Sequence, residues 1–360
     1  MAEGRITEAA VREVLDEFQD PETGRRIGSS KQVHRLKLDG DKLSIVLGLT
    51  TWAAAVRDDV RAELIGLLRE RFPGLDVDVE LAVHQRKPQP LGEVGLAAKS
   101  VIAVASGKGG VGKSSLATLL AFALCETGSK VGLMDADIYG PSVPHLIGPQ
   151  ELPESGEDKA RPVEVDGLKV ISIGFFIPED QAVIWRGPML HGALTQFFRD
   201  VDWGELDYLV IDMPPGTGDV ALSISQLVPL SGAVVVSTPQ DVALLDVSKA
   251  ITMFRRVEID VLGMIENMSF FVCSECDARH DIFGSGGAKQ KAAELNVPFL
   301  GEMPLDAQLR SLGDEGNLRA ALDRPSARPY LTEICQNLVK QLVAINRRKP
   351  RTPTLPVIGQ

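Results

Sequence analysis

Val101-Ile102-Ala103-Val104-Ala105-Ser106-Gly107-Lys108-Gly109-Gly110-Val111-Gly112-Lys113-Ser114-Ser115 is the stretch whose reading decides the fold. An apolar, β-rich run enters a glycine-rich loop, and the helix-forming run Ser114-Ser115-Leu116-Ala117-Thr118-Leu119-Leu120 leaves it. Residues 107–114 fit the spacing Gly, four residues, Gly, Lys, then Ser or Thr, which is that of a phosphate-binding loop. In such a loop the backbone N–H groups and the N-terminus of the next helix surround the phosphates. Lys113 is then expected to neutralise β- and γ-phosphate charge, and the Ser114 hydroxyl to coordinate magnesium.

Outward from the loop, β-rich runs at 101–105, 131–134, 170–173, 208–211, 233–237 and 261–265 alternate with helical ones. This rhythm predicts an α/β fold, a parallel sheet with helices on both faces. Acidic residues close several of these runs. Met134-Asp135-Ala136-Asp137 puts two carboxylates at the carboxyl edge of the sheet, where ligands bind in such folds. Carboxylates there also cap helices, so the division of labour between Asp135 and Asp137 is open. Leu209-Val210-Ile211-Asp212 ends in a further acid suited to a magnesium shell. Met213-Pro214-Pro215-Gly216-Thr217-Gly218-Asp219 follows, suited to sensing a γ-phosphate through its backbone. Glu266 and Asn267 end a later run.

The N-terminal part reads differently, as a small α+β unit. A helix is predicted over 7–18, strands over 31–38 and 42–49 joined by Asp39-Gly40-Asp41, a helix over 53–72 and a strand over 75–83. Proline- and glycine-containing residues 87–98 read as a linker. The organisation is therefore 1–86, a linker 87–98, an ATPase-like unit 99–345, and a proline-rich tail 346–360 read as disordered. The polar segment 150–162 reads as a surface excursion. A chain of 360 residues suits two domains, and 44% hydrophobic with 24% charged residues suits a globular core.

A net charge of -11 argues against nucleic acid as a partner. The acidic N-terminus is unlike a signal peptide, and no run reaches the length of a membrane span, so a cytoplasmic location and no membrane partner are expected. The chain has 4 cysteines, too few for a disulfide scaffold. Cys125 and Cys335 fall in apolar helical runs and read as core. Cys273-Ser274-Glu275-Cys276 is different: two thiolates at this spacing suit a soft metal, a cluster edge or a redox couple. Zinc is open, with His280 nearby. A cubane cluster generally takes four thiolates, which a twofold dimer would supply.

The second lysine of the loop, Lys108 in Lys108-Gly109-Gly110-Val111-Gly112-Lys113-Ser114, resembles the deviant Walker A motif. That ATPase class includes the Min and Par positioning proteins, the nitrogenase iron protein and the Mrp-type iron-sulfur carriers. Residues 266–276, with Ile282-Phe283-Gly284-Ser285-Gly286-Gly287 and 297–306, look closely like the Mrp (ApbC) carrier family. The match runs from about 99 to 340. The resemblance implies an ATP-hydrolysing homodimer in which Lys108 reaches the partner's nucleotide, with Lys113, Asp137 and Asp212 also catalytic. It implies nucleotide contacts from Gly107, Lys108, Gly109, Gly110, Val111, Gly112, Lys113, Ser114, Ser115 and Asp135, with Asn267 reading adenine. Asp135 would hold magnesium-bound water and Asp137 would orient the attacking water, the magnesium itself lying among Ser114, Asp135 and Asp212. Cys273 and Cys276 of two subunits would bridge one iron-sulfur cluster, 4Fe-4S in type, passed between scaffold proteins and recipient apoproteins.

Residues 7–86 resemble the small MIP18-type domain that accompanies iron-sulfur assembly factors, through Asp20-Pro21-Glu22-Thr23-Gly24 and Leu47-Gly48-Leu49-Thr50-Thr51. Many such domains carry a reactive cysteine soon after, whereas this chain has Trp52-Ala53-Ala54 and no cysteine before Cys125. Protein docking is the role this departure leaves, and His34 and His84 read as surface or core residues. The rival readings are a Min- or Par-type positioning ATPase and a zinc-stapled regulatory ATPase. The first requires a basic amphipathic tail or a basic DNA-binding face, which the proline-rich tail and acidic balance do not provide.

Overall fold

A computed structural model describes residues 6–150, 159–176, 187–216, 219–273 and 275–350. They form two compact units, residues up to Arg86 together with those from Val339, and Lys87–Leu338.

In the first unit, α1 (Glu8–Glu17) is capped by Thr7, whose hydroxyl oxygen accepts the Ala10 N–H at 3.2 Å. The antiparallel pair β1 (Val33–Asp39) and β2 (Lys42–Leu49) turns at Gly40, with Asp39 opposite Lys42. After β2 a tight turn, Thr51–Val56, buries Trp52, Ala53 and Val56 before α2 (Arg57–Arg71) begins. The helix predicted over 53–72 thus starts later, because Trp52 and Ala53 are drawn into the core by a tighter 3-10 turn. β3 (Asp76–Val83) then adds parallel to β2.

The second unit runs β4 (Pro90–Leu91), β5 (Leu96–Ser106), α3 (Lys113–Glu126), β6 (Val131–Asp135), α4 (Val143–Ile147), β7 (Val163–Val165), β8 (Leu168–Ser172), α5 (Gly187–Arg199), β9 (Leu206–Asp212) and α6 (Asp219–Leu227). It continues through β10 (Gly232–Ser237), α7 (Asp241–Arg256), β11 (Val261–Glu266), β12 (Phe271–Val272), β13 (Arg279–His280), α8 (Gly287–Glu294), β14 (Phe299–Glu302), α9 (Ala307–Asp314) and the start of α10 (Arg328–Arg348), whose residues from Val339 belong to the first unit. The main sheet has the order β14-β11-β10-β5-β9-β6-β8-β7, parallel except at β7. β9 and β10 are buried at every position, as expected of strands covered on both faces. The phosphate-loop strand β5 is central, between β10 and β9.

Two boundaries differ from the reading of the sequence. Within 87–98, β4 folds back antiparallel on the start of β5, pairing Pro90 with Ala97 and Leu91 with Leu96. The glycines that suggest a linker serve this turn: Gly92 and Gly95 both have positive φ. A Cβ on Gly92 would also lie 2.0 Å from the Leu227 carbonyl oxygen. At the other end, α10 continues to Arg348, past the expected boundary at 345. Its Asn346 is 7% exposed, and Nδ2 donates to the carbonyl oxygens of Pro21 (3.2 Å) and Glu22 (2.8 Å). The reading of disorder otherwise falls on 351–360, which lie outside the described residues, as do 151–158 of the polar segment. No helix among the described residues is long and apolar enough to cross a membrane.

The Asp20-Pro21-Glu22-Thr23-Gly24 turn is thereby explained by structure. Asp20 is buried and accepts from Thr23 Oγ1 (2.6 Å), Gln32 Nε2 (2.9 Å) and Arg86 Nη1 (2.6 Å). Gly24 has φ +68°, and a Cβ there would lie 2.0 Å from the Asn346 carbonyl oxygen. Asn346→Ala should remove the buried amide donor that meets the Pro21 and Glu22 carbonyls and destabilise the first unit by about 1–3 kcal/mol. Amide hydrogen exchange across residues 20–24 is the measurement; protection equal to wild type would contradict this role.

Candidate functional site

The loop between β5 and α3 lies at the carboxyl edge of the sheet, as the motif requires. Gly110 and Gly112 adopt φ +81° and +79°, a left-handed backbone open to glycine. Gly112 has a second reason: a Cβ there would sit 2.2 Å from Asn267 Nδ2. Gly107 likewise leaves no room for a side chain, since its Cβ would meet the Asp246 backbone at 2.4 Å. A cleft of about 270 Å³ opens here, lined among others by Lys108, Lys113, Ser114, Ser115, Asp137 and Pro215.

Lys113 is 6% exposed and donates through Nζ to Asp212 Oδ1 at 2.5 Å, with Ser114 Oγ at 3.2 Å. The other carboxylate oxygen of Asp212, Oδ2, is buried without a hydrogen-bond partner. Asp212 ends β9 and pairs in register with Asp135, which ends the neighbouring β6. Two carboxylates thus stand at adjacent strand ends, and the buried lysine pairs with Asp212. Burial, and then the charge of Asp212, push the Asp135 carboxyl up to about 7. Burial also raises Asp212, against the pull of Lys113, and it raises Asp137, again opposed by Lys113.

Asp135 and Asp137, similar in sequence, occupy different places. Asp135 is 0% exposed, and its oxygens accept the N–H of Asp137 (3.1 Å), the N–H of Val143 (3.2 Å) and the hydroxyl of Ser172 (3.0 Å). It fastens α4 and the end of β8 behind the loop, while Asp137 lines the cleft. Ser172 escaped the reading of the sequence; its signal was a hydroxyl after the short apolar pair Val170-Ile171 at the end of a strand. Lys108 is exposed at the cleft rim. Asn267, expected to read adenine, donates from Nδ2 to the Val111 carbonyl at 2.8 Å and so adjoins the loop. Of the switch that follows Asp212, Pro215 lines the cleft and the Gly216 N–H donates to the Ser106 carbonyl at 2.9 Å. Thr217 and Gly218 lie outside the described residues.

The cysteine pair occupies the turn of the hairpin formed by β12 and β13. The Cys273 N–H donates to Ala278 O, and the Asp277 N–H to Cys273 O, both at 2.9 Å. Cys273 is half-buried and Cys276 exposed. The N–H groups of Glu275 and Cys276 point at the Cys273 sulfur and, with the Cys276 thiol, lower its pKa, favouring the thiolate that binds soft metals. Exposed apolar residues, Val272, Ile282 and Phe283, flank it. Among the described residues no group of three or more His, Cys, Asp or Glu side chains of one chain converges to hold a metal. Cys335 is buried as expected, while Cys125 is only half-buried.

A glycine loop between strand and helix, a buried lysine, and acids at the ends of adjacent parallel strands define a P-loop nucleoside triphosphatase. The family described as NUBPL iron-transfer P-loop NTPase matches residues 97–342, and the chain belongs to it. Residues 8–81 match a second family, described as iron-sulfur cluster assembly protein. The iron-sulfur cluster carrier protein of Deinococcus radiodurans is 45% identical over 310 residues, spanning 85% of this chain and 87% of that protein. The carrier protein of the same name from Escherichia coli is 40% identical over 342 residues, spanning 93% and 91%. Among solved structures, the nucleotide-binding protein of Archaeoglobus fulgidus in complex with ADP is 41% identical, with a TM-score of 0.56, over 64% of this chain and 90% of that one.

The ionisation of Asp135 has a testable sign. Its folded value of about 7 lies above the model-compound value of 3.8, so the ligand-free protein loses stability as pH rises between the two. Asp135→Asn removes Asp135's share of this dependence and leaves that of Asp212 and Asp137. In thermal melts with chelator, wild type should lose ground to the variant as pH is raised through that interval. The slope is diagnostic rather than the offset, and parallel curves would contradict the assignment.

Proposed function

We propose that this chain is an ATP-hydrolysing homodimer that carries an iron-sulfur cluster and delivers it to apoproteins. The observation that carries the reading is the presence, in one unit, of the phosphate-loop cleft and an exposed hairpin bearing Cys273 and Cys276. Relatives named iron-sulfur cluster carrier protein support it over a positioning ATPase of the Min or Par kind.

In this reading the backbone of 107–115 cradles the phosphates, and Lys113 moves from Asp212 towards the β- and γ-oxygens as nucleotide enters. The unpartnered Asp212 Oδ2 fits a cation, so Ser114 and Asp212 would hold magnesium, with Asp135 contributing its charge from behind. Magnesium, when bound, neutralises charge on the phosphate oxygens. Asp137, at the cleft wall, orients the attacking water and accepts its proton. Lys108, free of the loop's own packing, reaches the nucleotide of a second copy. Asn267 reads the adenine base, from a position where its amide also meets the loop at Val111.

The cluster is the cargo. One chain offers two suitable thiolates, and a 4Fe-4S cluster generally takes four, so two copies related by a twofold axis hold it between them. The apolar flank of Val272, Ile282 and Phe283 suits burial at such an interface. Exposed free thiols suit a reducing compartment, hence the cytoplasm. The N-terminal unit, without a cysteine, docks scaffold or recipient proteins.

Reconstitution with iron and sulfide under anaerobic conditions should give visible charge-transfer absorption that Cys273→Ser removes. Absence of cysteine-dependent absorption, with about one zinc retained per dimer, would sink the carrier reading in favour of a zinc-stapled ATPase. Lys113→Ala should reduce ATP hydrolysis to background. Lys108→Ala should lower turnover by orders of magnitude with nucleotide still bound in a filter or calorimetric assay; normal turnover would remove the trans role.

A further inference from the structure

The turn that joins β11 to the cysteine hairpin touches the phosphate loop on one side and the hairpin's support on the other. Its Met268 has φ +54°, a left-handed conformation for a residue with a side chain. Before it, Asn267 Nδ2 holds the Val111 carbonyl of the loop at 2.8 Å. Also before it, fully buried Glu266 accepts the N–H groups of Gly286 (2.9 Å) and Ala288 (2.6 Å) at the start of α8.

After it, Ser269 Oγ lies 2.5 Å from Glu266 Oε1 and 2.9 Å from Glu302 Oε2. A hydroxyl has one proton to donate, so Ser269 serves one carboxylate at a time. Each carboxylate has other donors for the state in which it is not served. Glu266 keeps its two backbone amides, and Glu302 keeps Arg279 Nη1 at 3.0 Å. Arg279 stands on β13 opposite Val272, beside Cys273, and its guanidinium lies 3.8 Å over the ring of buried Phe270.

We propose that residues 266–270, Glu302 and Arg279 form a two-position relay between the nucleotide loop and the cysteine hairpin. Displacement of Val111 on nucleotide binding shifts the Asn267 side of the turn and transfers the Ser269 hydroxyl between Glu266 and Glu302. Arg279, a positioning residue, then resets the hairpin that presents Cys273 and Cys276. The relay rests on the reading that the loop binds nucleotide and the hairpin holds the cluster, and it gives that reading its coupling. Contiguity alone would not suffice, but a single proton between two acceptors is a discrete two-state element that both sites can bias. Linkage makes the effect reciprocal.

The test uses the reduced, cluster-free full chain and the rate at which a disulfide reagent labels Cys273 and Cys276, with and without a non-hydrolysable ATP analogue. Burial pushes the Cys125 and Cys335 thiols up to about 12, so fast labelling there reports unfolding. In wild type the analogue should change labelling of the pair on the order of 5-fold or more. Arg279→Met and Ser269→Ala should bring that ratio to one with analogue affinity unchanged, and Arg279→Lys should restore part of it. Retention of the full ratio in Arg279→Met overturns the relay, because shielding by a dimer contact alone would persist in that variant. Analogue binding without any change of labelling in wild type also overturns it. A chain that does not bind the analogue fails earlier, at the nucleotide reading itself, and is told apart by the affinity measurement. If Arg279→Met exposes Cys125 and Cys335, Glu302→Gln carries the same expected and overturning ratios.

Discussion

The contact between Lys113 Nζ and Asp212 Oδ1 at 2.5 Å ties the first residue of α3 to the last residue of β9, and the site is built around it. Both groups are almost wholly out of water, and either charge alone would cost several kcal/mol there. The pair is tolerable because each supplies the other's counter-charge. It leaves Asp135 close by with no cation of its own, which is why burial and Asp212 together lift its pKa so far. With one buried lysine among these acids, part of that cost is left uncompensated.

The cysteine hairpin depends on the opposite strategy. Its strands, Phe271–Val272 and Arg279–His280, are far too short to stand alone. What holds them lies beneath: Phe270, 1% exposed, packs edge-on against Tyr330 with ring centroids 5.5 Å apart, while Arg279 clamps it from above. The thiols are thus carried at an exposed edge on a buried footing. Exposure allows exchange of a ligand with another protein, and the footing keeps the sulfur of Cys273 against the N–H groups that favour its thiolate.

Much of this was legible in the chain itself. The phosphate loop, its strand and its helix are adjacent in sequence, and their chemistry needs only local backbone geometry, so residues 107–115 could be read directly. The acids Asp135 and Asp212 announced themselves by ending apolar runs, and Cys273 and Cys276 by their spacing. The N-terminal strands and the 39–41 turn were equally local, and they formed as the pattern predicts. Short elements were harder. β4 and β7 span two and three residues, too few for any periodicity to declare itself.

Tertiary structure alone decided what identical residue types do in different places. Asp135 became an anchor and Asp137 a cleft wall because Val143, 8 residues on, and Ser172, 37 residues on, deliver donors to only the first. Asn267 found its partner in the Val111 carbonyl because Gly112 leaves the space its amide fills. Asn346, which composition assigned to a loose tail, became a buried hydrogen-bond donor to a turn more than 300 residues earlier. Sequence determined the fold, the loop and the thiols, since those follow from spacing along the backbone. Partnership was settled by folding, because a hydrogen bond depends on which distant atom arrives within about 3 Å, and no local pattern carries that distance.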